Sequence, residues 1–387
     1  MLKILPVLQS LFRNKKFLAL LILAGLLIKL LMLPFFPEPG DYTFFLKPWV
    51  EFIRSHGYWQ AFRFEFANYS PPYLYFLLGI AKLGGEPLIP IKLVSICFEY
   101  VAAWFIGGIA YQKYKEDWVR WCSLAVVPLL PTVLINSSYW GQCDSVYASF
   151  LVGSIYFVLR KRSFLSILFL GISFSFKLQA VLLFPFYFVL LLRNRVKWYY
   201  FLLVPAVYLI SLLPAYCAGR PLTELLSVFI SQSEYYDSLS LQFPNLYMWI
   251  SDDHYETVKW IGILLTCLFA LLTGGLLAKK YRAQLTNNYL VRLALLSAVI
   301  FPFLLPGMHE RYMYVGDLLA VAYIIYFPRK FYNALGIPLI SLFSYALCTS
   351  LNESLIRYLG VPVTIFYICV IGLLIRDFYL SSLKEDK

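Results

Sequence analysis

Residues 17–34 read FLALLILAGLLIKLLMLP, and this apolar run decides the class of fold. It is long enough to cross a bilayer as one helix, and Lys29 is its only charged side chain. Arg13, Lys15 and Lys16 precede it, and Pro34-Phe35-Phe36-Pro37 follows where a signal peptide would need a small-residue cleavage site. We therefore expect a retained first helix with a cytoplasmic N-terminus.

Similar apolar segments recur along the whole chain of 387 residues, which is 61% hydrophobic, 14% charged and has a mean hydropathy of +0.71. This composition predicts an all-α, polytopic integral membrane protein. In a soluble protein the net charge of +12 would suggest nucleic acid as a partner. Here we interpret the basic residues as cytoplasmic loop anchors, so we expect membrane lipids and no nucleic acid.

Loop charges predict about 12 transmembrane helices with both chain ends in the cytoplasm. Lys and Arg concentrate in the loops that this topology places inside, whereas most Asp and Glu residues fall outside. We expect a multi-pass protein of a bacterial plasma (inner) membrane. The predicted helices cover residues 17–36, 89–110, 119–135, 145–159, 163–176, 178–192, 198–216, 257–278, 290–305, 312–328, 331–350 and 360–377.

Two long extracytoplasmic loops follow from this topology, at residues 37–88 and about 217–256. The first contains an apolar stretch, residues 71–85, that begins with two prolines and ends in Gly84-Gly85. Counting this stretch as a span would reverse the side of every later loop. We therefore interpret it as a re-entrant or interfacial helix on the outer face.

Five polar stretches interrupt the apolar runs, and the topology places all of them on the outer face. Ionisable groups at a bilayer boundary are costly to desolvate, so their convergence on one face indicates a site. The stretches are Gly40-Asp41-Tyr42, Asn68-Tyr69-Ser70-Pro71-Pro72, Trp140-Gly141-Gln142-Cys143-Asp144-Ser145, Lys177-Leu178-Gln179 and Pro306-Gly307-Met308-His309-Glu310-Arg311-Tyr312.

Two carboxylates are candidates for catalysis or substrate binding. A sheltered Asp41 can serve as a general base, and its alternative role is to cap the helix that begins near Tyr42. Asp144 likewise can serve the site or cap the helix predicted to begin at residue 145. Gln142 can donate and accept hydrogen bonds, as a sugar hydroxyl requires, and Trp140 can stack on a sugar or belong to the interfacial aromatic belt.

The cationic candidates are His309, Arg311 and Lys177. Arg binds phosphate through two hydrogen bonds, and a neighbouring His adds a donor or a proton. Lys177 can supply a second cation or extend its amine to the interface. Pairing with Arg311 or a remote cation is the simple expectation for Glu310. An ion pair between Lys29 and Glu99, or a polar cavity lined by them, is expected deeper in the membrane.

These motifs, in this order, resemble the GT-C superfamily of integral-membrane glycosyltransferases. The chain is most similar to bacterial homologues of the mannosyltransferase that adds the second mannose of GPI anchors. More distantly it resembles the dolichyl-phosphate-glucose glucosyltransferases. The resemblance covers nearly the whole chain and is strongest at residues 40–185. It rests on Trp-Gly-Gln-Cys-Asp-Ser at 140–145 and His-Glu-Arg-Tyr at 309–312 together.

The resemblance implies a role for each matching residue. Asp41 matches the first-loop general base. His309 and Arg311 match positions that face the lipid phosphate, and Lys177 lies near the donor. Substrate contacts are implied for Tyr69, Trp140, Gln142, Asp144 and Gln179. Residues 68–72 match a segment usually written Asp/Asn-Tyr-Pro-Pro, with Ser70 as a departure.

Such enzymes transfer one sugar, here a mannose or another hexose, from a polyprenyl-phosphate-sugar to a lipid or glycan acceptor, with inversion. The resemblance also implies a GT-C-like module at residues 1–216 and a variable membrane module at 217–387. The motifs indicate no cofactor. Asp-x-Asp, the metal–nucleotide-sugar signature of soluble glycosyltransferases, is absent from the sequence, which is consistent with a lipid-phosphate donor. A divalent metal stays open. Two other classes stay open, a transporter or flippase of lipid-linked sugars and a non-catalytic scaffold of an envelope-glycan complex.

Overall fold

The computed structural model describes residues 10–11, 13–38, 40–280, 285–348 and 353–385. Within these ranges the chain is almost entirely helical, with one pair of two-residue strands. The first eight helices are α1 Lys15–Met32, α2 Lys47–Ser55, α3 Pro71–Leu83, α4 Leu88–Tyr114, α5 Trp118–Val126, α6 Asp144–Leu159, α7 Ser163–Phe176 and α8 Phe184–Leu192.

The second half of the chain adds seven helices and the two strands. The helices are α9 Leu203–Cys217, α10 Leu222–Ser233, α11 Tyr255–Lys280, α12 Asn287–Leu304, α13 Tyr314–Tyr326, α14 Tyr332–Cys348 and α15 Glu353–Glu385. Strand β1, Ser240–Leu241, pairs in parallel with β2, Met308–His309. Helix α10 and strand β1 both lie in the predicted second outer loop, residues 217–256.

Local sequence explains several helix boundaries. The Asn14 side chain accepts hydrogen bonds from the backbone N–H groups of Lys16 and Phe17, at 3.0 and 3.3 Å, which caps the start of α1. Helix α3 begins with Pro71 and Pro72, where the missing N–H groups need no helical partner. It ends at Gly84, whose φ of 74° suits a residue without a side chain.

Five helical stretches among the described residues are long and apolar enough to cross a membrane: 88–114, 198–217, 252–279, 287–304 and 358–382. A pair at 118–129 and 131–139, bent by 57° at its junction, makes a sixth if it is one span. These helices confirm a multi-pass membrane protein. The number of 12 spans stays a prediction, because several segments that we counted, such as α6 with 16 residues, are short for a straight span.

The first outer loop folds into a helical layer with its own apolar core. Trp49, Val50 and Ile53 of α2 are buried together with Leu74 and Leu77 of α3. A single 3₁₀ turn, Tyr58–Arg63, connects the two helices. Residues 71–85 therefore form a helix, as predicted, and this helix packs against its own loop as well as against α4 and α9.

A buried ion pair connects α1 to α4. The Nζ atom of Lys29 lies 2.5 Å from an oxygen of Glu99, and the side chains are 1% and 0% exposed. The hydroxyl of Ser137 donates to the other oxygen of Glu99. This contact confirms the ion pair between helices that we considered for these two residues. It fixes the first helix against the helix that carries much of the core.

We predict that Lys29→Met destabilises the protein strongly, by about 3–5 kcal/mol, because it leaves the Glu99 carboxylate buried without a cation. The double variant Lys29→Met with Glu99→Gln should recover much of this loss, since no charge then stays buried. Thermal unfolding in detergent measures both, with the exposed Lys16→Met as control. Equal melting temperatures for the single and double variants would contradict the assignment.

Candidate functional site

Asp41 lies at the entrance of the site, between the end of α1 and a π-helical turn at Tyr42–Leu46. Its carboxylate makes no capping hydrogen bond to that turn. It accepts a hydrogen bond from the side-chain amide of Gln142 instead. The side chain is 37% exposed, so the carboxylate is reachable from outside.

The backbone around Gln142 is held from two sides. Its N–H donates to the carbonyl of Asn136 at 2.9 Å, and its carbonyl accepts from the hydroxyl of Ser95 at 2.6 Å. Gly141 has a φ of 70°, which a residue with a side chain rarely adopts, and this turn directs the Gln142 amide towards Asp41. The bent segment, residues 118–139 before α6, therefore fixes the orientation of the candidate base.

Arg311 lies among three carboxyl groups and is 12% exposed. Its guanidinium is 2.8 Å from Glu310, 3.5 Å from Asp41 and 3.7 Å from Asp144, measured from nitrogen to oxygen. Burial lowers the pKa of Arg311, but the carboxylate of Glu310 and then that of Asp41 raise it well above its ordinary value. The guanidinium is therefore charged at any physiological pH.

Asp144, at the first position of α6, is 1% exposed and fully engaged in polar contacts. One oxygen accepts from the Nζ atom of Lys177, and the other accepts from the Nδ2 atom of Asn136 at 2.7 Å. Asn136 also donates to the hydroxyl of Tyr345 at 2.9 Å. Asp144 is thus a connector between α6, the end of α7, the bent segment and α14.

Lys177 does not extend to the interface. It begins the break after α7, is 4% exposed, and its ammonium group lies over the rings of Tyr69 and Tyr147 at 5.6 and 5.8 Å. Burial lowers the pKa of Lys177, and the Asp144 carboxylate raises it well above the ordinary value. This lysine therefore carries a positive charge inside the site.

His309 is the last residue of strand β2, and Glu310 follows it. The His309 ring packs edge-on against Tyr236 at 5.5 Å and near Tyr312 at 5.0 Å. Burial lowers the pKa of His309 below its ordinary 6.5, and hydrogen bonding to Glu310 offsets this only in part. Burial alone raises the pKa of Glu310. The nearby Arg311 and His309 lower this pKa by more than burial raises it, and the result is about 2.

The pairing of β1 with β2 places this motif. The N–H of Gly307 donates to the carbonyl of Leu239 at 2.8 Å, and Leu241 pairs with His309 in the parallel register. The Asn245 side chain donates to the carbonyl of Leu305 at 2.9 Å. The second outer loop therefore holds residues 305–309 against the end of α12, which directs Arg311 towards Asp41.

These groups surround a cavity of about 50 Å³ on the side of the first outer loop. Asp41, His309, Arg311 and Lys177 all line it, and an oxygen of Asp41 lies 3.5 Å from the guanidinium of Arg311. Six of the residues predicted for the site line it: Asp41, Tyr69, Gln142, Lys177, His309 and Arg311. Five stretches that lie far apart in the sequence thus contribute to one polar site, as the topology predicted for stretches on one face.

A second cavity, of about 430 Å³, adjoins the first and is mostly apolar. Gln179, predicted for the site, lines this second cavity. The two cavities share Gln232, Tyr236, His309 and Tyr312. The walls of this second cavity are formed largely by the break after α7, by α10, by α11 and by residues 305–308. Ile230 and Trp260 on these walls are each 59% exposed on the surface of the protein. The polar site is therefore continuous with an apolar groove open to the side.

Trp140, which was predicted for the site, does not reach these cavities. It is 7% exposed, its ring packs edge-on against Tyr345 with centroids 5.1 Å apart, and it lines neither cavity. Asp144 lines neither cavity either, and reaches the site through Lys177 and Arg311.

The sequence analysis missed Asn136, Tyr345, Gln232 and Tyr236. Asn136 is a lone amide in an apolar run, so its polarity alone could have marked it as a candidate. Tyr345, Gln232 and Tyr236 carry no such signal in the sequence, because only the packing of α10, α14 and the second outer loop brings them to the site. Among the described residues, no three His, Cys, Asp or Glu side chains come together as a group that would hold a metal ion.

The fold and the site define a class: a multi-pass helical membrane protein with a polar cavity lined by residues of its long loops and helix ends. A solved structure with a similar fold is that of ArnT from Cupriavidus metallidurans bound to undecaprenyl phosphate. It matches with a TM-score of 0.50 at 14% sequence identity, over 96% of this chain and 74% of that chain. At this identity the likeness establishes the fold. No protein-family model and no curated protein matches the chain.

We predict that His309 is neutral at pH 7 and titrates below 6.5, because burial disfavours the imidazolium. The chain has three His residues, so selective ¹³C labelling gives three signals, and His309→Gln assigns one of them. Glu310→Gln should lower the midpoint further, since that carboxylate raises the pKa of His309. A titration midpoint of His309 above pH 6.5 in the unmodified protein would contradict its burial in this site.

Proposed function

We propose that this protein is an inverting glycosyltransferase that takes its sugar from a polyprenyl-phosphate-sugar on the extracytoplasmic face of the membrane. One observation carries the proposal: a partly exposed carboxylate, Asp41, and two buried cations, Arg311 and Lys177, line one cavity, and this cavity adjoins an apolar groove. A base, a phosphate site and a lipid channel are the parts that such a transfer requires. The ArnT-like fold supports it.

In this proposal the donor phosphate binds at Arg311 and Lys177. Both cations are already paired with carboxylates, which holds their side chains in place before the donor enters. The donor is a phosphodiester with one negative charge, and the departing polyprenyl phosphate gains a second. Fixed cations stabilise this developing charge without reorganising, which is the main electrostatic contribution to catalysis. His309 is neutral and can donate one hydrogen bond to the same phosphate.

Asp41 acts as the general base. A hydroxyl oxygen of the acceptor forms a bond to the anomeric carbon, and its proton passes to the Asp41 carboxylate. The bond between the anomeric carbon and the phosphate oxygen breaks, and its electrons leave with the polyprenyl phosphate. Gln142 holds one oxygen of Asp41 by a hydrogen bond, which leaves the other for the acceptor. Attack from the side opposite the phosphate inverts the anomeric configuration.

The apolar groove receives the prenyl chain. It reaches the polar cavity at His309 and Tyr312, where the phosphate of a bound donor would lie, and its other end opens between α10 and α11. A long prenyl chain buries enough apolar surface there to anchor the donor. Gln179 lies in this groove, near the point where lipid and phosphate meet.

The remaining features of the proposal rest on the resemblance. We propose a GT-C-like catalytic module at residues 1–216 followed by a variable membrane module, about 12 spans with both ends cytoplasmic, and a bacterial inner membrane. A mannose or another hexose is the transferred sugar, and a lipid or glycan is the acceptor. Tyr69, Gln142 and Asp144 serve the sugar or its neighbours, and Trp140 supports them through Tyr345.

We predict that Asp41→Asn lowers kcat by about 10²–10⁴, since the amide cannot take up the acceptor proton. The measurement is sugar transfer from polyprenyl-phosphate-mannose and polyprenyl-phosphate-glucose by protein in detergent. Glu38→Gln is the matched control, because Glu38 is exposed and lines neither cavity. Arg311→Ala should lose turnover as well. Near-normal transfer by Asp41→Asn would remove the base assignment.

We predict that Ile263→Trp raises KM about tenfold for a donor with a long prenyl chain, because the larger ring fills the groove and removes roughly 1–2 kcal/mol of binding. A short-chain donor, which does not reach Ile263, should keep its KM. Leu264→Trp is the control, since Leu264 is 59% exposed and lies outside the groove. An equal effect of both variants on both donors would argue against a lipid channel here.

A further inference from the structure

The polar site adjoins an open cleft as well as the apolar groove. The cleft has a volume of about 350 Å³, and it shares Phe45, Trp49, Asn68 and Tyr235 with the polar site. This volume is within the range of small-molecule sites, about 300–1,000 Å³. In the proposed reaction the donor occupies the polar site and the groove, so the cleft still has no role.

Helix α10 stands between the cleft and the groove. Val228 and Ser231, three residues apart and therefore on one face of the helix, line the cleft. Ile230 and Ser233, also three residues apart, line the groove from the opposite face. No residue in the described part of the chain lines both cavities. A molecule in the cleft therefore reaches the polar site without entering the space proposed for the prenyl chain.

Aromatic rings dominate the wall of the cleft, next to neutral polar groups. The rings are those of Phe45, Trp49, Phe66 and Tyr235. Phe45 packs edge-on against Tyr235 with ring centroids 5.9 Å apart, while Asn68 and Ser231 add an amide and a hydroxyl. A pyranose ring has apolar C–H faces and a rim of hydroxyl groups. Aromatic faces beside hydrogen-bonding groups suit both parts of such a ring.

The charge of the cleft disfavours an anionic occupant. Glu65 lies on its wall, and no Lys, Arg or His within the described ranges lines it. The Glu65 side chain is 52% exposed and lies 3.5 Å from the guanidinium of Arg220, which also approaches Glu224 at 3.4 Å. A phosphate group in the cleft would meet this carboxylate and no cation on the wall. A neutral molecule with hydroxyl groups can donate hydrogen bonds to Glu65 instead.

Asn68 lies where the cleft meets the polar site, because it lines both. Its amide oxygen has no hydrogen-bond partner among the residues that the structure describes. A buried acceptor without a donor is unfavourable, and a hydroxyl group of a bound molecule would supply one. Phe45 lies one turn after Asp41 in the same helical segment, and both line the polar site. The cleft therefore ends close to the candidate base.

We propose that this cleft is the acceptor subsite and that the acceptor is a neutral saccharide, whose hexose ring packs against Phe45 and Tyr235. This inference rests on the proposed function. The hydroxyl oxygen that bonds to the anomeric carbon of the donor then belongs to this hexose, so the new bond is glycosidic. The hydroxyl proton passes to Asp41, and the polyprenyl phosphate leaves with the electrons of the broken bond.

The test is sugar transfer by the full chain in detergent from polyprenyl-phosphate-mannose and polyprenyl-phosphate-glucose to two sets of acceptors. One set contains the methyl α- and β-glycosides of mannose, glucose, galactose and N-acetylglucosamine. The other set contains diacylglycerol and phosphatidylinositol. We expect at least one methyl glycoside to receive the sugar with a higher kcat/KM than either lipid. A higher kcat/KM for a lipid acceptor would overturn the proposal.

Variants connect this activity to the cleft. Ser231→Trp, at an exposed position, should fill the cleft and raise the KM of the methyl glycoside about tenfold, and the KM of the donor should not follow it. Tyr235→Ala should raise the KM of the glycoside through lost stacking, and Tyr235→Phe should restore it. Leu226→Trp is the matched control, since Leu226 is 44% exposed on α10 and lines none of the three cavities. An unchanged KM of the glycoside in Ser231→Trp would overturn the assignment of the cleft.

Hydrolysis of the donor separates this inference from the function on which it rests. Water can take the place of the acceptor, so an active protein releases free sugar from the donor when no glycoside is added. Release of free sugar without transfer to any of the methyl glycosides would overturn the acceptor assignment and leave the transferase proposal in place. If the protein neither hydrolyses the donor nor transfers its sugar, the proposed function fails, and the acceptor assignment fails with it.

Discussion

The buried carboxylate of Asp144 is the contact on which the site depends, because it meets a cation or a donor from three separate parts of the chain. Lys177 comes from the end of α7, Asn136 from the bent segment, and Arg311 from the loop before α13. A charge so deeply buried is tolerable only when it is paired and hydrogen-bonded. Folding of these segments and assembly of the site are therefore the same event.

Charge compensation explains how a membrane protein keeps two cations ready for a phosphate. Arg311 and Lys177 are held by Glu310 and Asp144, so neither is left uncompensated when the cavity holds only solvent. Asp41 is the exposed member of the cluster, and its carboxylate meets both Gln142 and Arg311. A donor phosphate entering here would compete with Asp41 for Arg311. Donor binding would then release the base towards the acceptor.

The broken helix before α6 serves the candidate site. Pro131 and the π-helical residues Leu134–Tyr139 bend the segment after α5, and this bend aims Asn136 at Asp144. A continuous helix would satisfy its own backbone groups and could not place Asn136 in this way. Irregular backbone inside a membrane protein is stable only where protein or a polar cavity surrounds it. Here the surrounding polar groups are the functional ones.

The sequence alone determined the class of fold and the candidate chemistry. Apolar length and loop charge indicated a polytopic helical protein, and polar stretches such as residues 140–145 and 306–312 stood out because polar groups are costly next to lipid. Only the tertiary structure decided the partners: Gln142 bonds Asp41, Trp140 packs on Tyr345, and α10 with β1 orders the second outer loop. Asn136 stood out only as a lone amide in an apolar run. Tyr345 had no visible role, because contacts between distant helices depend on packing and leave no periodic pattern in the sequence.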